Sequence, residues 1–236
     1  MRGTLPTVKI PTEVAEFREI LKRKRVPRYY SGVLHFAFTA VMSLGTVAYC
    51  VLHLEDVRTM EWLTLPATFI YANLTEYFAH RGPMHHPRRG LRIVFVGHTL
   101  NHHHYFTHEA MELQETRDVA TILFPPVMLV FFFGLFGFPV AFLLGLLVSS
   151  NTGYLFFAVA MAYYLNYEIF HLAYHMPQNS WVGRLPLMSR LRQYHTRHHD
   201  LQLMSRYCFN ITYPIGDFIF GTSAPRPAAS LRSTIK

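Results

Sequence analysis

Residues 119–167, VATILFPPVMLVFFFGLFGFPVAFLLGLLVSSNTGYLFFAVAMAYYLNY, contain no Asp, Glu, Lys or Arg. An uncharged run that long exceeds what a soluble core uses, whereas two bilayer crossings need about 20 residues each. Pro125–Pro126 can open the first crossing, because proline is tolerated in a first helical turn. That span is expected to reach about Leu147, with a kink near Gly137–Pro139. The polar residues 149–153, SSNTG, make the turn, and a further span covers about 154–171. Towards the amino terminus, apolar runs at about 30–54 and 62–80 read as another pair, separated by Glu55, Asp56, Arg58 and Glu61. The expected fold is an all-α membrane protein with four transmembrane helices in two hairpins.

Composition agrees. Hydrophobic residues make up 51% and charged residues 15%, against about 25% charged in a typical soluble domain. Residues 1–28 carry eight Lys/Arg against three acids, and residues 176–236 eight against two, while the 55–61 loop holds one Arg and three acids. By the positive-inside rule both termini face the cytoplasm. The net charge of +8 is then that of basic loops beside an anionic leaflet rather than of a nucleic-acid binder. A polar, charged segment precedes the first apolar run, so no cleavable signal peptide is expected. Cys50 and Cys208 form no CxxC pair and indicate neither a disulfide nor a thiolate site. The chain divides into a basic leader (1–28), a membrane-embedded body (29–222) and a tail (223–236). Within the leader, Val14, Phe17, Ile20 and Leu21 share a helical face opposite Lys and Arg, which suits an interfacial helix or a solvated basic one.

Thirteen of the fifteen histidines fall in two blocks, 80–108 and 171–199, each after an apolar stretch. Histidine is the commonest metal ligand, and residues three or four apart share a helix face. His171 and His175 are four apart. His195, His198 and His199 can all point at one centre. His98 and His102 are four apart with His103 adjacent, and a turn at Gly82–Pro83 must bring His80 and His85 together. These ten are the metal-ligand candidates. A structural zinc site uses four ligands, so two ions with about five each is the simpler count, and an imidazole set suits iron, copper, zinc or nickel. His86, His104 and His108 are read as outer or surface histidines, any of which can exchange with a member of the set. His35 and His53 are read as hydrogen-bonded core residues. Glu76 and Glu168 precede His80 and His171 by four and three, where each can orient its histidine's ring.

The pattern HRGPMH, HTLNHH, HLAYH and HTRHH, followed by PIGDFIFGT, resembles the fatty acid hydroxylase superfamily over about residues 70–222. That resemblance implies four membrane helices under a cytosolic helical cap that carries a dimetal centre, normally two iron ions, although zinc can replace iron in purified material. It places the ten histidines at ligand positions. It also implies O2-dependent hydroxylation of a membrane lipid, a fatty acyl chain or a sterol-like molecule, or its desaturation. The first block departs from the HxxHH of acyl 2-hydroxylases, being HxxxHH here. Without a cytochrome b5 module, electrons are expected from a separate donor of ferredoxin or cytochrome b5 type. A membrane metal transporter is the reading from another class, but transporters bind near the bilayer midplane, whereas these histidines lie at span ends and in the cytoplasmic segments.

Overall fold

The computed structural model describes residues 10–225, whose regular elements are all helices, with no strand among them. Part of the leader and most of the tail lie outside the described residues. Helix α1 (Thr12–Arg25) leads, followed by α2 (Gly32–Leu52), whose first turn is capped by the Ser31 hydroxyl accepting from Leu34 N. Helix α3 (Thr64–Ala79) ends in a kink over His80–Met84, where Gly82 leaves helical geometry beside Pro83. Residues 92–105 form α4, with a π-turn at Val96–His102. Residues 126–147 form α5, and Ser150–His175 form α6. Pro186–His198 is α7 and Ile215–Ile219 is α8.

Three helical stretches are long and apolar enough to cross a membrane, Gly32–Leu52, Thr116–Leu147 and Ser150–His175. Within the second, the continuous helix is α5. Thr64–Ala79 has 16 helical residues, short of the usual span. Large apolar side chains point outward along α2 and α5, among them Leu34, Val41, Leu44, Val130, Leu135 and Leu146. In water such surface is unfavourable, whereas lipid accepts it. Helix α6 is the central post, packed against α2, α3 and α5.

Several expectations shift. The kink in α5 becomes a π-turn at Phe133–Gly137, one turn before Pro139, and the helix continues through the proline. A widened turn absorbs the missing N–H and the ring's clash with the preceding carbonyl. The five-residue polar turn shrinks, because α6 starts at Ser150 with Ser149 as its cap. Gly153 therefore lies inside a helix, where a Cβ would sit 2.6 Å from the Ala141 carbonyl and 3.1 Å from Gly145 Cα. Its bareness lets α5 and α6 touch. At this end Glu61 accepts from Ser149 Oγ and Asn151 Nδ2, tying the acidic loop to the α5–α6 turn.

Helix α1 is built into the fold. Leu21 is buried and Val14 and Phe17 are half-buried, as the expected face requires, but Arg18 and Lys22 are buried beside them and Ile20 is exposed, so the inward face is rotated towards the basic side. The Arg18 guanidinium donates to the Tyr105, Ala110 and Glu112 carbonyls, so three backbone acceptors replace its water. Leu21 packs with Tyr105, Phe106, Val119, Ile122 and Leu123. His53 is also corrected. It is exposed at the end of α2 and hydrogen-bonded to the Tyr49 carbonyl. His35 is buried against Tyr30 Oη and the Phe124 carbonyl, as a core histidine should be. Both cysteines are free and buried.

Candidate metal centre

The ten candidate histidines are all buried and gather into two groups of five. His80, His85, His98, His103 and His198 form one, and His102, His171, His175, His195 and His199 the other. Within each group one nitrogen per ring lies within 4.8 Å of all the others. His86 and His108 are exposed and His104 is half-buried, and all three lie outside both groups.

The partition differs from simple helical spacing. His98 and His102 share a face in an ordinary α-helix, but the π-turn at Val96–His102 re-phases α4. His98 then pairs with His103, Nε2 to Nε2 at 3.1 Å, while His102 turns to His171 at 3.0 Å. On α7, His195 and His199 meet at 3.0 Å, while His198 crosses to the first group and faces His85 at 3.0 Å. The kink after α3 folds His85 back onto His80 at 3.1 Å, as the Gly82–Pro83 spacing predicts. The groups adjoin, with the His103 and His199 rings stacked 4.4 Å apart.

Backbone carbonyls fix the rings. His80 Nδ1 bonds to Phe209 O, His198 Nδ1 to Tyr207 O, His102 Nδ1 to Thr121 O, His175 Nδ1 to Met111 O and His199 Nδ1 to Phe106 O. For His85 the partner is Thr99 Oγ1, whose own proton goes to the Met84 carbonyl. A carbonyl only accepts, so each of these Nδ1 atoms carries the proton and each Nε2 presents a lone pair.

These protonation states suit a metal-binding donor set. His85 aims an unprotonated nitrogen at those of His80, 3.1 Å away, and His198, 3.0 Å away, an arrangement with no hydrogen bond in it. A cation between them would relieve the repulsion. Protonating the rings is disfavoured, because burial pushes the His102 imidazole down to about 3 and His198 to about 4. His85, His98, His103, His195 and His199 are lowered by the same cause first. Adjacent nitrogens about 2.1 Å from a shared ion, at right angles to each other, would lie about 3.0 Å apart. The five-nitrogen groups fit an ion each.

The carboxylates act elsewhere than expected. Glu76 does not contact His80; it accepts from Ile211 N, Thr212 N, Thr212 Oγ1 and Tyr163 Oη. Asp217 takes the two preceding amides, Phe209 N at 2.9 Å and Asn210 N at 2.8 Å, and also Thr222 Oγ1. Two buried carboxylates thus grip four consecutive N–H groups, in the stretch whose carbonyl holds His80. Gly216 lets this clamp close, since a Cβ there would lie 2.8 Å from Asn210 Oδ1 and from Tyr77 Cβ. Glu168 accepts from Phe124 N at 3.1 Å, not from His171, whose Nδ1 has no partner. Asp217, Thr99 and the ring-holding carbonyls escape sequence reasoning. The PIGDFIFGT motif was the one signal for Asp217, and a carbonyl leaves none.

A family model described as fatty acid hydroxylase matches residues 65–222, which is more than half of the chain. The chain belongs to the fatty acid hydroxylase family. A solved structure described as full-length scs7p, with only the hydroxylase domain visible, resembles this hydroxylase-family chain at 25% identity and a TM-score of 0.58. The likeness covers 81% of this chain and 67% of that one. No curated protein matches it. Membership makes this an oxidoreductase-type chain of lipid hydroxylation; its two histidine groups are compatible with a metal site, and its membrane-length helices agree.

Proposed function

We propose that the chain is a four-span membrane enzyme that hydroxylates a membrane lipid with O2 at two iron ions, one in each five-histidine group. The supporting observation is the ten buried rings, six of them locked with Nε2 unprotonated, in a member of the fatty acid hydroxylase family. Helices α2, α3, α5 and α6 are the spans. The shorter α3 is extended by the 3₁₀ turn Thr59–Leu63 before it and the kinked His80–Met84 after it. Charge bias supports placing both termini and the metal groups on the cytoplasmic side.

Iron bound there supplies O2 activation and the redox chemistry of C–H oxidation. The chain's own residues do the rest. The carbonyls of Phe106, Thr121, Met111, Tyr207 and Phe209 keep the rings neutral and aimed. Phe106, 4.2 Å from the His175 ring, and Phe209, 6.1 Å from His80, wall the groups from water. Because His171 and His175 end a spanning helix, a substrate chain held in the bilayer reaches the groups without leaving it. The substrate class is a fatty acyl chain or a sterol-like lipid, and electrons come from a separate ferredoxin- or cytochrome b5-type protein.

The test is turnover of candidate lipids by the purified, iron-loaded chain under labelled O2 with a reducing partner. An alcohol carrying one label is expected, and His171→Ala should abolish it. An alkene without label would make the chain a desaturase. Metal flux across vesicles without O2 consumption would make it a transporter.

A further inference from the structure

Outside the metal groups, the segment after α6 and the outer face of α7 enclose a cleft of about 420 Å³. Its lining includes Arg184, Arg192 and Arg197, together with Gln178, Ser189 and Gln193, and no carboxylate. Ser189, Gln193 and Arg197 recur every fourth residue, so they form one stripe along α7 while His195 and His198 turn inward. The bland account is a solvated basic face, and two features oppose it. The site is concave, and Arg192 is buried, with Nη1 held 2.6 Å from the Met176 carbonyl. A buried guanidinium needs compensation, yet its one ion pair is with Glu112 at 3.3 Å. Arg184 and Arg197 form no ion pair among the described residues.

We propose that this cleft binds a phosphate group. Three cations against the single Glu112 carboxylate leave a surplus of about two positive charges, which matches a phosphate monoester at about −1.5 to −2. Guanidinium forks present paired donors to phosphate oxygens, and Gln178, Ser189 and Gln193 supply neutral ones. A volume of this size suits a headgroup-sized ligand, whereas a docking protein needs a broad surface of about 800 Å² on each partner. The phosphate belongs either to a lipid headgroup or to a soluble phosphate ester. The inference is independent of the proposed chemistry, because binding is read without turnover.

The test is calorimetric titration of inorganic phosphate into the full chain in neutral detergent, beside the double variant Arg184→Gln/Arg197→Gln. Saturable binding at one phosphate per chain is expected, weakened by about tenfold or more in the variant. Unchanged metal content in the variant shows that it is folded. Absent or non-saturable binding, or equal binding in both proteins, overturns the proposal, as does capture of an acidic protein without phosphate binding. A second arm reconstitutes both proteins in phosphatidylcholine vesicles with and without phosphatidic acid, then measures lipid retained after detergent exchange. Retention by the native chain, displaced by phosphate and lost in the variant, assigns a lipid headgroup. Phosphate binding without lipid retention assigns a soluble phosphate ester.

Discussion

His102 and His103 are consecutive in the chain, yet their rings stand at 86° and serve different nitrogen groups. One short helix therefore builds half of the boundary between two sites. If each group holds one ion, as proposed, His103→Ala should remove about one ion per chain, from the first group, and His102→Ala should take the ion of the second. Metal analysis of each variant, with spectroscopy of the remaining ion, reads this out. Identical residual spectra in the two variants would contradict the partition.

Asp217 touches no ring, but it holds the Phe209 and Asn210 amides beside the carbonyl that fixes His80. Asp217→Asn is expected to weaken metal binding in the first group by about 10–100-fold and leave the second unchanged. Competition with a chelator measures both. The truncation Asp217→Ala strands buried donors and should cost about 3 kcal/mol in thermal unfolding. Equal weakening of both groups by the Asn variant would mean that Asp217 supports the fold at large.

Acid should destabilise the metal-free protein over a defined window. Burial lowers His102 to about 3 and His198 to about 4, from an ordinary 6.5. The unfolded chain takes up protons that the folded chain refuses, so stability is full above pH 6.5 and falls as pH drops towards 4. Each such ring contributes on the order of 3 kcal/mol to that loss. Melting curves across pH, with and without bound metal, check this. The loaded protein should melt higher than the metal-free protein at each pH in the window, and a flat metal-free curve across it would refute the assignment.

The buried Arg18 joins α1 to the 105–112 loop, which carries the Phe106 and Met111 carbonyls of the second group. Arg18→Ala should cost about 3 kcal/mol, since bonds from a charged donor are worth about 1.5–3 kcal/mol each and partly relax. Limited proteolysis should then cut within that loop, and the second group should bind metal more weakly. Cleavage confined to α1, with metal affinity unchanged, would show that the latch is local.

The two membrane-length helices of residues 119–167 were legible because lipid imposes its demand directly on composition. The gathering of the ten rings was legible because histidines clustered at helical spacing share a face. Their division was hidden, since a π-turn is not encoded by residue type and His98–His102 spacing reads as an ordinary turn. The reach of Glu76 to Thr212 and of Arg18 to Tyr105 crosses 136 and 87 residues, beyond any local pattern. Burial of Arg18 and Lys22 ran against the amphipathic reading, because backbone carbonyls and acids on a distant loop meet their charges.

The widened turn at Val96–His102 makes α4 sensitive to length more than to identity. Exposed positions such as Leu100 can accept many side chains, but removing one residue restores ordinary helical phase and rotates everything after it by about 100°, the angle of one residue at 3.6 per turn. His102 and His103 would both miss their groups. Variants of this stretch should therefore tolerate replacement and reject insertion or deletion.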